Sequence, residues 1–136
     1  MNENYSLKRE ERLTSKKRIS KLFNNANKVY GKYFLIYWNF ADDIEFPAQV
    51  LFSVPRKDFK RAHDRNRIKR LMREVYRLNK NILYDNLNKI NRKIVLAIIY
   101  KGKNIESFYT INDDLILILK RLSKDIANKN RKDENN

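Results

Sequence analysis

The residues of this chain most able to do chemistry are cations that recur at intervals of four in one short segment. Between Arg65 and Tyr76, five of twelve residues are Lys or Arg, and Glu74 is the only acid. On a helix, the spacing of Arg65, Lys69 and Arg73 would place like charges side by side, which costs free energy. A row of phosphates would offset that repulsion and suits the planar fork of arginine. The segment therefore predicts a nucleic-acid-binding face rather than an ordinary solvated helix surface.

Few residues could hydrolyse a substrate on the protein itself. Asp42–Asp43 and Asp113–Asp114 are adjacent pairs, which diverge on any regular element and are typical of turns or helix starts. His63 lies in a basic linker, where a lone histidine is more often structural or an RNA contact than a general base. The chain has no cysteine, which excludes disulfides and Cys-based zinc sites. No catalytic or metal-binding residue is predicted in this chain.

The charge of the 136-residue chain is distributed unevenly. It has 31 Lys and Arg against 16 Asp and Glu, a formal net charge of +15. Residues 56–80 contain eleven cations and three acids, a net of +8, whereas residues 33–55 contain three acids and no cation. Such a patch attracts polyanions, with nucleic acid first and an anionic membrane surface second. The sequence shows neither a secretory signal nor an apolar run long enough to span a membrane, so a cytoplasmic location is expected.

Apolar periodicity places the basic segment on a helix between two strands. The predicted order is a helix (15–25), a strand (28–40) with an irregularity at Gly31, a strand (46–55), the basic helix (64–79), a strand (93–100) and a helix from residue 112. In the first strand, Tyr33 and Tyr37 are predicted to share one face, opposite the even-numbered apolar residues. The basic helix is predicted to begin at the N-cap Asp64 and to turn its apolar residues towards the sheet.

This order of elements predicts one α+β domain, a two-layer sandwich of a small mixed sheet with helices. The domain is expected to span residues 1–125, with residues 1–7 flexible. Residues 126–136 are expected to form a disordered polar tail. The apolar residues of the basic helix are thus expected to pack against the sheet, and its cations are expected to bind a partner molecule.

Residues 53–80, SVPRKDFKRAHDRNRIKRLMREVYRLNK, resemble the signature of the bacterial ribonuclease P protein component. That family has a strand ending in Ser-Val and a basic pair, a linker, and then Arg-Asn-Arg-x-x-Lys-Arg-x-x-Arg on the following helix. The matching residues here are Arg65, Asn66, Arg67, Lys69, Arg70 and Arg73, preceded by the basic pair Arg56 and Lys57. Arg12–Leu13 and residues 33–37 also follow the family's N-terminal pattern, so the resemblance covers about residues 8–125.

The resemblance implies a ribonuclease P protein-like sandwich with a left-handed β-α-β crossover around the basic helix. It also implies a protein subunit whose partners are a catalytic RNA, which holds the Mg²⁺, and the precursor tRNA whose 5′ leader that RNA removes. The catalytic RNA would contact Arg56, Lys57, Arg65, Asn66, Arg67, Lys69, Arg70 and Arg73. A cleft between the N-terminal helix and the sheet would hold the single-stranded leader, at Lys16, Lys17, Phe23, Tyr33 and Tyr37. Aromatic rings flanked by cations are a common way to hold a single strand.

Three residues depart from the family pattern, all outside the basic motif. Ile19 stands where the family often has a second aromatic residue, and Leu51 replaces a glycine common in the second strand. Tyr100 stands where an arginine often closes the later strand. The resemblance therefore implies neither stacking at Ile19 nor a leader contact at Tyr100, and Leu51 is expected to narrow the floor of the cleft.

A different structured-RNA binder, such as a ribosomal protein, would share the charge and size and is the principal alternative. It would need the basic face and no cleft. A helix-turn-helix DNA binder needs a partner helix just before its recognition helix, where this chain has a strand and a linker. A membrane-surface helix needs a wider exposed apolar face. Neither DNA nor a membrane is therefore an expected partner.

Overall fold

The computed structural model of the protein describes residues 6–135. Its elements, in chain order, are α1 (Lys16–Asn24), β1 (Asn27–Tyr30), β2 (Phe34–Phe40), β3 (Ala48–Ser53), α2 (Ala62–Ile90), β4 (Ile94–Tyr100) and α3 (Phe108–Glu134). Of the segment predicted to be flexible, residues 1–5 lie outside the described residues. Ser6 and Leu7 are held in place: the Ser6 carbonyl accepts a 2.6 Å hydrogen bond from Lys80 Nζ, and Leu7 packs against the core.

The four strands form one mixed sheet in the order β1-β2-β4-β3. β2 pairs antiparallel with both β1 and β4, whereas β3 runs parallel to β4. All seven residues of β4 are buried, which is typical of an unbroken apolar strand that is covered on both faces. The parallel pair is connected through α2, so the β-α-β unit is present and the predicted α+β class is confirmed. The left-handed sense of the crossover stays a prediction.

The two long helices cover one face of the sheet, and α1 covers part of the other. On the α2–α3 face, Phe34, Ile36 and Trp38 of β2 are at most 1 % exposed. Trp38 Nε1 also donates a 2.9 Å hydrogen bond to Asp125 of α3, which satisfies its buried N–H. On the opposite face, Leu22 of α1 is fully buried against β4. Among the described residues, no helix combines the length and apolar character needed to cross a membrane.

The single strand predicted through Gly31 is wrong, because β1 and β2 are two strands of an antiparallel hairpin. The chain reverses at Gly31, whose amide donates a 2.8 Å hydrogen bond to the Phe34 carbonyl. Asp114 of α3 accepts hydrogen bonds from the Lys32 and Tyr33 amides at 3.2 and 2.8 Å. A Cβ atom at Gly31 would lie 3.2 Å from the Asp114 carboxylate, so the close approach to α3 favours glycine at this turn.

Asp114→Ala is expected to lower the free energy of unfolding by about 2–3 kcal/mol, because two partly buried amides lose a charged acceptor together. Asp113→Ala is the matched control, since the neighbouring Asp113 is exposed on the same helix. The control should change stability by less than about 0.5 kcal/mol. Urea denaturation of both variants measures the difference. Equal losses in the two variants would contradict the anchoring role of Asp114.

α2 extends beyond both of its predicted ends. It begins before the predicted N-cap Asp64, and it continues past Asn79 to Ile90. Leu83 and Leu87 are fully buried, so the apolar stripe that packs against the core continues through the last turns of the helix. Tertiary packing thus stabilises a stretch whose local sequence is rich in asparagine, a weak helix former.

α3 continues through Glu134, so the disordered polar tail predicted for residues 126–136 is wrong for residues 126–134, and Asn136 lies outside the described residues. Ile126 is 3 % exposed and extends the apolar face of the helix. Asn130 is also buried, and its Oδ1 accepts a 2.9 Å hydrogen bond from Arg92 Nη1, which in turn pairs with Asp133. These partners are distant in sequence, so the polar composition of the tail does not reveal them.

Candidate nucleic-acid interface

On the outward face of α2, most cations have no carboxylate partner among the described residues, and the exception is Arg77, which pairs with Glu74. On the inward face, Ile68, Met72 and Val75 are at most 1 % exposed. Within residues 6–135, none of the following cations on α2 and the preceding turn forms a salt bridge: Arg56, Lys57, Arg67, Lys69, Arg70 and Arg73. Asn66 is exposed beside them. This face can therefore receive an extended anion without first breaking internal ion pairs.

The turn before α2 is fixed by one buried aromatic residue and one arginine. Phe59 is 8 % exposed, and its ring centre lies 5.9 Å from that of Tyr100 in the core. Arg65 Nη1 donates hydrogen bonds to the carbonyls of Phe59 and Lys60 at 2.9 and 2.8 Å. A guanidinium carries five N–H donors, so this role leaves donors of Arg65 for an external phosphate. The sequence did not reveal this second role of Arg65.

Arg12 lies beside the same face, although the sequence did not assign it to the site. The Leu13 amide donates a 2.9 Å hydrogen bond to the Val50 carbonyl, and Arg12 thereby bridges to the edge strand β3. Arg12, Lys69 and Arg73 line a groove of about 330 Å³, together with apolar residues of β3. In the sequence, the only indication of this role for Arg12 was the match of Arg12–Leu13 to the family's N-terminal pattern.

An aromatic pair lies where the end of α1 meets the sheet, at the place predicted for the cleft. Phe23, at the end of α1, is 44 % exposed, and its ring centre is 5.4 Å from that of Tyr37 in an edge-on contact. Lys28 Nζ lies 5.3 Å from the centre of the Tyr37 ring. Tyr37, Ala97 and Leu51 are neighbours across the sheet and belong to the apolar cluster on which α1 packs. An exposed ring beside a cation can stack a base and meet its phosphate.

The remaining residues predicted for the cleft occupy two other places. Lys16 and Lys17 are exposed in the first turn of α1, about 10 Å along the helix axis from Phe23. Tyr33 belongs to the hairpin turn before β2, so the strand alternation does not extend to it. Its side chain packs against the core shared with α2 and α3. Tyr33 and Tyr37 were predicted to share one face of a strand. In the structure, Tyr33 instead lies away from Phe23 and Tyr37.

Comparison with known proteins identifies the family of this chain. The sequence pattern of the Ribonuclease P family matches residues 7–123, a range that includes the basic face and the cleft. The chain belongs to the Ribonuclease P family. The Ribonuclease P protein component of Chlorobaculum tepidum is 39% identical over 106 residues, which cover 72% of this chain and 69% of the relative. That of a Porphyromonas gingivalis strain is 30% identical over 132 residues, 96% of each chain.

Solved structures show the same fold. The RNase P protein of Staphylococcus aureus superposes with a TM-score of 0.66 at 20% identity, covering 82% of this chain and 94% of that one. The RNase P protein of Thermotoga maritima gives a TM-score of 0.65 at 23% identity, covering 82% and 96%. Membership of the Ribonuclease P family gives the chain a role in ribonuclease P and tRNA processing, and it implies the RNase P RNA as a partner.

The departures from the Ribonuclease P family pattern have defined places in the structure. Ile19 and Leu51 both pack against the small apolar cluster between α1 and the sheet, so an aliphatic side chain occupies the first position instead of a ring. Tyr100 is fully buried on the α2–α3 side, and its hydroxyl donates a 2.6 Å hydrogen bond to the Asn104 carbonyl. Burial raises the pKa of Tyr100 to about 12. Tyr100 therefore lies in the core and outside the cleft.

Three of the four carboxylates considered for hydrolysis, Asp42, Asp43 and Asp114, have structural partners, whereas Asp113 is exposed. Asp42 accepts a 3.1 Å hydrogen bond from Arg92 Nε, and Asp43 pairs with Arg18. Burial alone would raise the pKa of Asp42, but its hydrogen bonds to Arg92 and to a backbone amide hold that pKa below its ordinary value. His63 is exposed in the first turn of α2. In the part of the chain that the structure describes, no group of three His, Cys, Asp or Glu residues could hold a metal ion.

Proposed function

We propose that this chain is the RNA-binding protein subunit of ribonuclease P, which assists the catalytic RNA in removing the 5′ leader from precursor tRNA. The observation that carries the proposal is the outward face of α2, where cations without a carboxylate partner in the described part of the chain fill the Arg-Asn-Arg motif of the family. Phosphates along this face would release counterions and relieve the repulsion between neighbouring cations. The proposed contacts to the catalytic RNA are Arg56, Lys57, Arg65, Asn66, Arg67, Lys69, Arg70 and Arg73.

The single-stranded leader is proposed to lie in the cleft beside α1. Phe23 and Tyr37 offer ring surface to bases, and Lys16 and Lys17 offer charge to phosphates at the other end of the helix. Lys28 lies over the Tyr37 ring and is proposed as a further leader contact, which the sequence analysis did not include. A ring pair of which Phe23 is exposed and Tyr37 is half-buried, with cations on both sides, supports a single strand better than a duplex, whose bases are already stacked.

The chemistry of cleavage is proposed to belong to the RNA, with Mg²⁺ held there rather than by this chain. The carboxylates of Asp42 and Asp43 are engaged by arginines, and Asp114 is engaged by backbone amides. Each is thus committed to the fold, and using it as a metal ligand would disrupt those contacts. The expected cytoplasmic location is part of the same proposal.

Competition between RNAs tests this proposal against a general structured-RNA binder. The protein should bind the catalytic RNA of ribonuclease P at least about tenfold more tightly than a ribosomal RNA fragment of equal length, a difference of roughly 1.4 kcal/mol. Both affinities must be measured at the same ionic strength, because charge alone attracts either RNA. Equal affinities would favour the structured-RNA binder, which needs the basic face and has no use for the cleft.

A further inference from the structure

Two opposite charges are buried together where the N-terminal segment crosses α2. Glu11 is 2 % exposed and Lys80 is 4 % exposed. Lys80 Nζ donates hydrogen bonds to Glu11 Oε1 at 2.8 Å and to the Ser6 carbonyl at 2.6 Å. The Tyr84 hydroxyl donates to Glu11 Oε1 at 2.6 Å, and the Lys8 amide donates to Glu11 Oε2 at 2.8 Å. Glu11, Lys80 and Tyr84, here called the buried charge set, thus connect residues 6–11 to the middle of α2.

A buried ion pair is a poor way to gain stability, since desolvation of both charges opposes their attraction. Burial alone would raise the pKa of Glu11, but hydrogen bonds from Lys80, Tyr84 and the Lys8 amide outweigh it and hold that pKa below its ordinary value. The carboxylate therefore stays charged, and its geometry is fixed by donors on both oxygens. Such a set specifies the position of a segment more than it strengthens the fold.

The segment held in this way continues directly into Arg12. Gln49 Nε2 donates a 3.3 Å hydrogen bond to the Glu10 carbonyl, and the Leu13 amide donates to β3. Glu11 is the last residue of a 3₁₀ helix (Arg9–Glu11), and the backbone becomes extended at Arg12 (φ −97°, ψ 131°). Glu11 and Leu13 are buried, while Arg12 between them is exposed. The inward position of Glu11 thus determines the outward position of Arg12.

The direction of Arg12 brings it to the cations of α2. Arg12 lines one groove with Lys69 and Arg73, and a second, adjoining groove with Arg70 and Arg73. Among the described residues, Arg12 forms no salt bridge. Three cations from two separate segments therefore converge on one groove with no internal anion between them, a geometry that suits a phosphate.

We propose that the buried charge set positions Arg12 as a phosphate-binding residue of the RNA interface, beside Lys69 and Arg73. Glu11, Lys80 and Tyr84 are positioning residues: they act through Arg12 and do not touch RNA. The N-terminal segment is thereby a second wall of the interface, in addition to the face of α2. This inference rests on the proposed function, because it takes the catalytic RNA as the ligand.

A double-mutant cycle between Glu11→Gln and Arg12→Ala tests the inference, with RNA affinity measured over a range of salt concentrations. Arg12→Ala should weaken binding several-fold and lower the salt slope by about 0.7–0.9, the value for one lost phosphate contact. Glu11→Gln should lower the slope equally, and adding Arg12→Ala to it should cause no further loss. Glu10→Gln, at an exposed neighbouring carboxylate, is the matched control and should leave the slope unchanged.

Amide hydrogen exchange at Leu13 reports the position of the segment without any RNA. Exchange at Leu13 should be faster in Glu11→Gln than in Glu10→Gln, because the bond to the Val50 carbonyl is lost with the segment. If Glu11→Gln does not fold, Tyr84→Phe removes one hydrogen bond without leaving a charge unpaired, and the same two measurements apply.

The outcomes separate this inference from the function on which it rests. If the losses of RNA affinity in Glu11→Gln and Arg12→Ala were additive, Glu11 would not act through Arg12. If the salt slope were unchanged in Arg12→Ala, Arg12 would not contact a phosphate. Either result would overturn the inference. Unaltered exchange at Leu13 in the variants of the buried charge set would overturn it as well. If the wild-type protein failed to stimulate the catalytic RNA, the proposed function would be overturned instead. The exchange measurement at Leu13 uses no RNA, so its result would still report whether the buried charge set holds the segment.

Discussion

Replacing Arg67 and Arg70 together by alanine is expected to weaken binding to the catalytic RNA by roughly 2–4 kcal/mol, the loss of two charge-assisted contacts. Both side chains are exposed on the outward face of α2, and within residues 6–135 neither forms an ion pair that the substitution would break. The logarithm of affinity against the logarithm of salt concentration should become less steep by about 1.4–1.8, or 0.7–0.9 for each phosphate contact. The free energy of unfolding should change little, since the inward apolar residues are untouched.

Lys120→Ala with Lys124→Ala is the matched control for this prediction. It removes two exposed cations from α3 and alters the net charge of the chain equally. If the loss came from net charge alone, both double variants would weaken binding and flatten the salt dependence to the same extent. Arg65 is a less suitable target, because its bonds to the Phe59 and Lys60 carbonyls also hold the linker. A slope unchanged by the Arg67 and Arg70 substitutions would remove both residues from the interface.

Phe23→Ala and Tyr37→Ala are each expected to weaken binding of leader-bearing precursor tRNA to the reconstituted complex by about 1–3 kcal/mol, the cost of losing one stacked base. Binding of mature tRNA, which has no leader, should stay unchanged. The two rings are in edge contact, so the double variant should lose less than the sum of the single losses. Equilibrium titrations of both tRNA forms with each variant complex measure these differences.

Tyr109→Ala controls for the general effect of removing an exposed aromatic side chain. Tyr109 is 78 % exposed on α3, outside the cleft, and its removal should leave the affinities of both tRNA forms unchanged. Equal losses for precursor and mature tRNA in the Phe23 or Tyr37 variant would contradict leader binding in the cleft. Such a result would show that the rings act on the complex as a whole.

The local sequence pattern correctly predicted those helices and strands in which buried residues recur at a regular interval. The apolar run of β4 and the two-sided pattern of α2 both reflect burial that repeats with the period of the element. The β1–β2 hairpin was missed because its reversal is fixed by Asp114, a residue far along the chain. The tail of α3 was missed for the same reason, since its partner Arg92 precedes β4. Contacts between distant segments do not appear in a local pattern.

In the candidate site too, local patterns were predicted from the sequence, whereas contacts between distant segments were not. The motif on α2 could be listed from the sequence because a helix displays its cations at a known period. Phe23 and Tyr37 do meet, whereas Tyr33 was placed with them by extending a strand alternation through a turn. Arg12 and Lys28 were not assigned, because their places depend on how separate segments pack against β3 and β2.

Cleavage of a precursor tRNA at low Mg²⁺ concentration tests the central claim most directly. The cognate catalytic RNA is assayed alone and with this protein, and the protein is also assayed alone. The account predicts strong stimulation of the RNA by the protein, a product cut at the 5′ end of the mature tRNA, and no cleavage by the protein alone. Cleavage by the protein alone would contradict the assignment of the chemistry to the RNA. A catalytic RNA that binds the protein tightly and cleaves no faster would contradict the assisting role itself.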